Sequence, residues 1–165
     1  QALSIHGRTR KQMYKGEADW TLIGKVKNNP RIHIPIFGNG DIDSPHKAVE
    51  YKERYGIDGI MIGRASIGYP WIFREIKQYM TTGIISEPPT IDERVEVARK
   101  HLNKSIEWKG ERVGVVEMRR HYTNYFRDLP GIKEFRAKLV AEMNPVLLNE
   151  LLDELKIHYQ EELAL

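Results

Sequence analysis

The sequence contains no cysteine among its 165 residues, which excludes disulfide bonds and thiolate metal sites from this stretch of chain. This absence fits a reducing cytosol, and we predict a cytoplasmic protein without a metal site. Long apolar runs are also missing: residues 60–62 form one of the longest, far below the roughly 20 residues that span a bilayer. Residues 1–4 show neither a basic region nor a small-residue cleavage site, so neither membrane insertion nor secretion is predicted.

The net charge is small, but the charged residues are unevenly distributed. The net charge is +3, yet basic residues outnumber acidic ones between Arg94 and Lys138, and acidic residues dominate from Leu139 onward. The pattern puts Arg112, Arg119 and Arg127 near one face of a predicted helix, opposite its apolar face. A run of charge is ordinarily a solvated helix surface, and the alternative is a surface that neutralises phosphates.

The first half of the chain alternates short apolar runs with helical patterns, which is typical of βα units and a parallel sheet. The pattern predicts strands over 2–5, 32–37 and 59–62, and helices over 19–28, 45–55 and 70–81. Ser44 followed by Pro45 predicts a capped start for the second helix, and Gly56 its end.

The second half of the chain has a helical period. Two consecutive prolines in 84–89 indicate a linker. Thr90 and Glu93 then form a capping-box pattern, which opens the first of four predicted helices. These helices cover 90–109, 111–129, 132–143 and 145–163, and together they predict a small antiparallel helical bundle over 90–165.

Two predicted strand ends have the composition of an anion site. Gly38-Asn39-Gly40-Asp41-Ile42 follows the second strand, and Gly63-Arg64 follows the third. Taken alone, the first motif is equally typical of a tight turn. The arginine, taken alone, is more often part of a surface ion pair. Because the loops after the last two strands of a (β/α)₈ barrel form its common phosphate site, these strands are interpreted as strands 7 and 8.

The first predicted strand would then be strand 6, and it ends in His6-Gly7-Arg8-Thr9-Arg10 at the catalytic rim. A single histidine at a strand end is more often structural. The two neighbouring arginines favour a functional role. Residues 1–83 are therefore predicted to be the C-terminal part of a TIM (β/α)₈ barrel.

Several motifs follow one another through this half. They are Ile5-His6-Gly7-Arg8-Thr9-Arg10, Tyr14-Lys15-Gly16-Glu17-Ala18-Asp19-Trp20, Asn39-Gly40-Asp41-Ile42, Met61-Ile62-Gly63-Arg64-Ala65 and Pro70-Trp71-Ile72-Phe73. In this order and spacing they resemble the tRNA-dihydrouridine synthase family, closest to its B-type bacterial members. The helical half resembles the family more loosely, through Arg119-Arg120-His121, Tyr125 and the Pro130-Gly131 turn.

The resemblance implies an FMN-dependent oxidoreductase that uses NADPH to reduce specific uridines in tRNA to 5,6-dihydrouridine. In this family the flavin lies at the barrel mouth and passes hydride to C6 of a flipped uracil, while a cysteine protonates C5. The implied flavin-binding residues are His6, Asn39, Gly40, Asp41, Gly63 and Arg64. The implied tRNA-binding residues are Arg8, Arg10, Arg112, Arg119, Arg120 and Arg127, with residues 90–165 as a helical tRNA-binding domain. For Arg8 and Arg10 a contact with the flavin is the open alternative.

The resemblance also implies what this chain lacks. The family's catalytic cysteine, a lysine on an earlier strand and the N-terminal flavin contacts belong to sequence outside these residues. We therefore expect a C-terminal portion that does not catalyse the reaction alone. Three strands do not close a barrel, so we also expect self-association.

Two other functions remain open from the sequence. One is another FMN-dependent barrel oxidoreductase acting on a small molecule, which would use the same glycine-rich strand ends. The other is a non-catalytic RNA-binding module for which the partial barrel is only a platform. Binding of tRNA would distinguish the small-molecule oxidoreductase from the function that the family resemblance implies. Flavin absorbance would test whether the chain is only an RNA-binding module.

Overall fold

The computed structural model describes residues 1–162, which divide into two compact units, Gln1–Ser86 and a second that begins at Glu87. The first unit is α/β and the second is helical. Within the described residues, no helix is both long and apolar enough to cross a membrane. The predicted end of the last helix, residue 163, lies outside the described residues.

The first unit is built on a three-stranded parallel sheet. Its strands are β1, Leu3–His6; β2, Ile36–Asn39; and β3, Gly59–Met61, in the order β1-β2-β3. The register pairs His6 with Asn39 and Asn39 with Met61. The carboxyl ends of all three strands are therefore level at one edge of the sheet, where parallel α/β folds bind ligands.

The second strand begins later than predicted, which corrects the range 32–37. Residues 32–35 are irregular and follow a turn that the Ile32 amide closes by donating to the Asn29 carbonyl at 3.0 Å. Pro35 has no N–H to give to a ladder. Ladder pairing starts at Ile36 and continues through Gly38 and Asn39, residues that the sequence analysis treated as a turn.

The helices of this unit are α1, Thr21–Lys27; α2, Pro45–Tyr55; and α3, Ile72–Thr82, with a 3₁₀ turn at Arg64–Ser66. The bounds of α2 agree with the prediction: the Ser44 hydroxyl accepts from the Lys47 amide, and Gly56 closes the helix at φ 63°. The core between sheet and helices consists of buried side chains: Trp20, Ile23, Ile36, Ile42, Ala48, Ile57, Ile72 and Ile76.

Trp20 connects this core to the strand ends. A Cβ atom on Gly38 would lie 2.1 Å from the indole ring, so only glycine leaves room for Trp20 there. The indole N–H also donates to the Gly40 carbonyl at 2.9 Å. The same buried side chain thus fixes both the packing of β2 and the loop that follows it.

The second unit contains α4, Ile91–Lys109; α5, Glu111–Tyr125; α6, Lys133–Ala141; and α7, Pro145–Glu162. Helix α4 packs against α5 and α7, and α6 also packs against both of these. The predicted capping box at Thr90 and Glu93 is present in both directions. A Cβ atom on Gly114 would lie 2.6 Å from the Ile106 amide nitrogen, which shows how closely α5 approaches α4.

Helix α5 is shorter than the predicted 111–129. The helix is followed by Phe126, which is buried and no longer has α-helical backbone angles, and by Asp128 at φ 64°. A guanidinium N–H of Arg94 donates to the Arg127 carbonyl at 2.9 Å and holds this turn. The prediction that Arg127 shares a helical face with Arg112 and Arg119 is therefore wrong.

Candidate functional site

The ends of the three strands surround one cavity of about 520 Å³. His6 reaches it from β1, Asn39 from β2, and Gly63 and Arg64 follow β3. The parallel register brings these three segments together, although up to 58 positions separate them in the chain. All six residues that the resemblance implies for flavin binding line this cavity: His6, Asn39, Gly40, Asp41, Gly63 and Arg64.

Asp41 is the centre of a charged network in the cavity wall. Its carboxylate accepts two hydrogen bonds from the Arg8 guanidinium, at 2.8 and 2.6 Å. The Arg64 guanidinium and the Ala18 amide donate at 3.0 and 2.8 Å. The Arg8 hydrogen bonds are the largest cause that holds the pKa of the Asp41 carboxyl below its usual range, and the carboxylate is therefore ionised at neutral pH.

Arg8 faces inward. Its side chain is only 4% exposed, and besides Asp41 it donates to the carbonyls of Lys15 and Gly16. The guanidinium that the sequence analysis assigned to tRNA is thus committed to Asp41 and to the loop 8–18. Arg10 lies in the same loop and is exposed, and it lines a smaller cavity that shares His6 and Tyr14 with the first.

Arg64 is the cation that the cavity presents to a ligand. Its side chain is 56% exposed, bonded on one side to Asp41, and its guanidinium lies 4.6 Å from the ring centroid of Tyr14. These two contacts fix its direction and leave N–H donors for an anion. A Cβ atom on the adjacent Gly63 would meet no atom within 4 Å, so the backbone beside Arg64 borders open space.

The polar groups of His6 and Asn39 have defined orientations. The His6 Nδ1 accepts from the Arg8 amide at 3.2 Å, an arrangement that assigns the proton of the neutral ring to Nε2. The Asn39 amide donates to the Met61 carbonyl at 2.6 Å and ties β2 to β3. Its side-chain oxygen remains an acceptor at the cavity edge.

The cavity matches an anion joined to a chain of hydroxyl groups. Arg64 and the open backbone at Gly63 suit the anion. Asp43 and the side-chain oxygen of Asn39 are acceptors for hydroxyl donors, whereas the oxygens of Asp41 already accept four hydrogen bonds from Arg8, Arg64 and Ala18. A phosphorylated polyol therefore fits the donors and acceptors present.

Several contacts of this site were missed from the sequence. The Tyr14 ring against Arg64, the Ala18 amide on Asp41 and the Trp20 indole on the Gly40 carbonyl all come from the loop after β1 or its end. Each connects residues more than 15 positions apart. The clustering of aromatic and glycine residues over 14–20 is the one signal that could have indicated the loop.

The arginines proposed for RNA contact on the helical unit differ in exposure. Arg112 and Arg120 are exposed on α5. Arg119 is half-buried, with one terminal nitrogen 3.1 Å from the Met143 sulfur. Arg127 lies beyond the helix and beside the Asp128 carboxylate at 3.7 Å. Two of the four guanidinium groups thus point outward from α5.

Comparison with known proteins gives the chain a set of relatives. A sequence model of the family described as dihydrouridine synthase (Dus) matches residues 1–163. The chain is 45% identical over 141 residues to tRNA-dihydrouridine synthase B of Pseudomonas putida, covering 86% of this chain and 41% of that protein. It is 38% identical over 154 residues to a probable tRNA-dihydrouridine synthase of Rickettsia conorii, covering 93% and 46%. The chain thus spans less than half the length of these relatives.

Proposed function

Because this chain belongs to the dihydrouridine synthase family, we propose that it works as part of an oxidoreductase that reduces specific uridines in tRNA to 5,6-dihydrouridine. In this proposal the first unit is the C-terminal part of an FMN-binding TIM barrel. The observation that carries it is the cavity at the three strand ends, in which Arg64, Asp41 and Arg8 form one charged network.

The cavity would hold the phosphate and ribityl end of FMN. Arg64 and the backbone at Gly63 would bind the phosphate, and the side-chain oxygen of Asn39 would accept a hydrogen bond from a ribityl hydroxyl. Asp41 would contribute by holding Arg64 in place. Arg8 would act through Asp41 by fixing the carboxylate that directs Arg64. Bound FMN would supply hydride chemistry, with NADPH as the reductant.

His6 stands at the rim of the same cavity with its Nε2–H as a donor. There it would hydrogen-bond an acceptor on the flavin or on the uracil and so orient one against the other. The proton that C5 of the uracil requires would come from outside these residues, because the chain has no cysteine. We therefore propose that the chain alone is catalytically inactive.

The helical unit would be the tRNA-binding domain, over 90–165, joined by the linker 84–89. Support comes from the outward guanidinium groups of Arg112 and Arg120 and from the relatives, which are named as tRNA-dihydrouridine synthases. Arg10, exposed beside the flavin cavity, would meet the same RNA. A tRNA-modifying enzyme of this kind would work in the cytoplasm.

The phosphate part of the proposal is tested by comparing FMN with riboflavin, which lacks the phosphate. We expect the purified chain to bind FMN more tightly, and Arg64→Gln to remove that preference. Arg54→Gln is the matched control, because Arg54 is an exposed arginine of the same unit paired with Glu50 on α2. Equal affinity of the unmodified chain for FMN and riboflavin would refute the phosphate assignment.

A further inference from the structure

Trp108 is the least buried large side chain in its region of the helical unit. It lies in the last turn of α4 and is 82% exposed, whereas Trp20 and Trp71 are 1% and 6% exposed. A bare indole ring is an unfavourable surface in water and is commonly used for recognition. Neither the flavin cavity nor the proposed tRNA-binding arginines account for it.

The ring borders a cavity of about 540 Å³ between α4 and α5. Three cations surround it: Lys104, Lys109 and Arg120. Lys104 pairs with Glu107 at 2.5 Å, and Lys109 pairs with Glu117. Among the described residues, Arg120 forms no ion pair within 4 Å. The Glu117 carboxylate interacts with it at longer range, and the terminal N–H donors of Arg120 remain available to a ligand.

The floor of this cavity is a neutral aromatic pair. The rings of His101 and His121 meet edge to face with centroids 4.6 Å apart, and Arg120 donates from Nε to His121 Nε2 at 3.2 Å. Burial is the largest cause that lowers the pKa of His121 to about 4, and burial also lowers the pKa of His101. Both rings are therefore uncharged at neutral pH.

The combination of a free indole face, a neutral aromatic floor and an unpaired guanidinium matches one chemical class. A nucleotide has a flat base that stacks on aromatic rings and a phosphate that binds arginine. A protein partner would require a wider apolar patch, but the residues around Trp108 in this cavity are mostly lysine, arginine and histidine.

We propose that this cavity binds an unpaired nucleotide of the RNA partner, with the base stacked on Trp108 and the adjacent phosphate on Arg120. The inference rests on the proposed function in so far as the partner is tRNA. It adds a site of different chemistry from the arginines already named, because stacking is insensitive to salt whereas phosphate contacts are not.

The experiment is a titration of the chain with tRNA followed by tryptophan fluorescence and by a separation assay such as gel shift. Since Trp108 is the one exposed tryptophan of three, a stacked base should quench the solvent-exposed part of the emission. We expect Trp108→Leu to remove the quenching and weaken binding roughly tenfold without changing the salt slope. Trp108→Phe should retain most of the affinity, because a ring remains.

Two further variants separate the contributions. Arg120→Gln should reduce the slope of log affinity against log salt by about one, as expected for a lost phosphate contact. Phe73→Leu is the matched control, since Phe73 is a half-exposed ring on α3 in the other unit, and it should change nothing. Short single-stranded oligonucleotides should compete for the quenching more effectively than a duplex.

The outcomes distinguish this site from the proposed function. If tRNA binds equally to Trp108→Leu and the unmodified chain shows no quenching, the nucleotide site is refuted and tRNA binding stands. If the unmodified chain does not bind tRNA at all, the tRNA-binding role of the helical unit fails, and the nucleotide site fails with it.

Discussion

Removal of the Arg8 guanidinium should destabilise the first unit through Asp41. The change considered is Arg8→Met, which keeps an unbranched stem but deletes the guanidinium and its four hydrogen bonds. Breaking a buried ion pair by removing one partner costs about 3–5 kcal/mol. Here Arg64 remains on the carboxylate and Asp41 is partly solvated, so we expect a loss of about 2–3 kcal/mol in the free energy of unfolding.

A double-mutant cycle with Asp41→Asn isolates the pair. Asparagine tolerates the left-handed backbone at position 41, where φ is 55°, so this variant removes charge without straining the chain. Urea unfolding of the two single variants and the double variant should give a coupling energy of about 1–2 kcal/mol. Arg10→Met, in the exposed part of the same loop, is the control and should cost less than about 0.5 kcal/mol.

The pH dependence gives an independent check. The folded-state pKa of Asp41 lies below its ordinary value of 3.8, so its contribution to stability is complete above that value and is lost as the pH falls through the folded-state pKa. Arg8→Met should raise this pKa, and the difference in stability between variant and parent should therefore shrink on acidification below about pH 4. Strictly additive effects in the cycle, or a difference that is independent of pH, would refute the argument.

Three further outcomes are expected. Gly114→Ala should destabilise the helical unit by about 2 kcal/mol or more, because the clash with the α4 backbone exceeds the gain of about 1 kcal/mol in helix propensity. Gly63→Ala, at a position that borders open space, should leave thermal stability nearly unchanged but lower FMN affinity. Thr90→Ala should cost about 1 kcal/mol in urea unfolding, and Thr90→Ser should restore most of it; equal stability of both would show that the cap contributes nothing. Light scattering should show concentration-dependent association, because β1 and β3 each have one unpaired edge in the described sheet, and a monomer at high concentration would contradict this.

Local signals in the sequence predicted the elements that local chemistry determines. Ser44, Pro45 and Gly56 predicted α2 at its observed bounds, and Thr90 with Glu93 predicted the start of α4, because caps involve neighbours in the chain. The predicted start of β2 was wrong because strand pairing depends on partner residues some 30 positions away in the chain. Without those partners in view, the glycines of 38–40 resemble a turn.

The site followed the same division. Six of the residues that line the strand-end cavity were predicted from the strand-end motifs and the family resemblance. The inward orientation of Arg8 was not, because it depends on Asp41 and on carbonyls of the loop 8–18. Likewise, Arg127 lies outside α5, where its carbonyl accepts a tertiary hydrogen bond from Arg94 that the sequence pattern does not reveal. Whether the cavity binds FMN and the helical unit binds tRNA stays a prediction.

The position of Trp20 sets a rule for exchanging parts between members of this family. Its ring occupies the space above Gly38, and its N–H holds the carbonyl of Gly40. If residues 38–42 alone were transplanted from this chain into a relative, they would therefore arrive without the side chain that shapes them. The unit that must be transferred together is therefore Trp20 with residues 38–42. A chimera that contains both segments should keep the cavity, whereas an exchange of the loop alone should lose it.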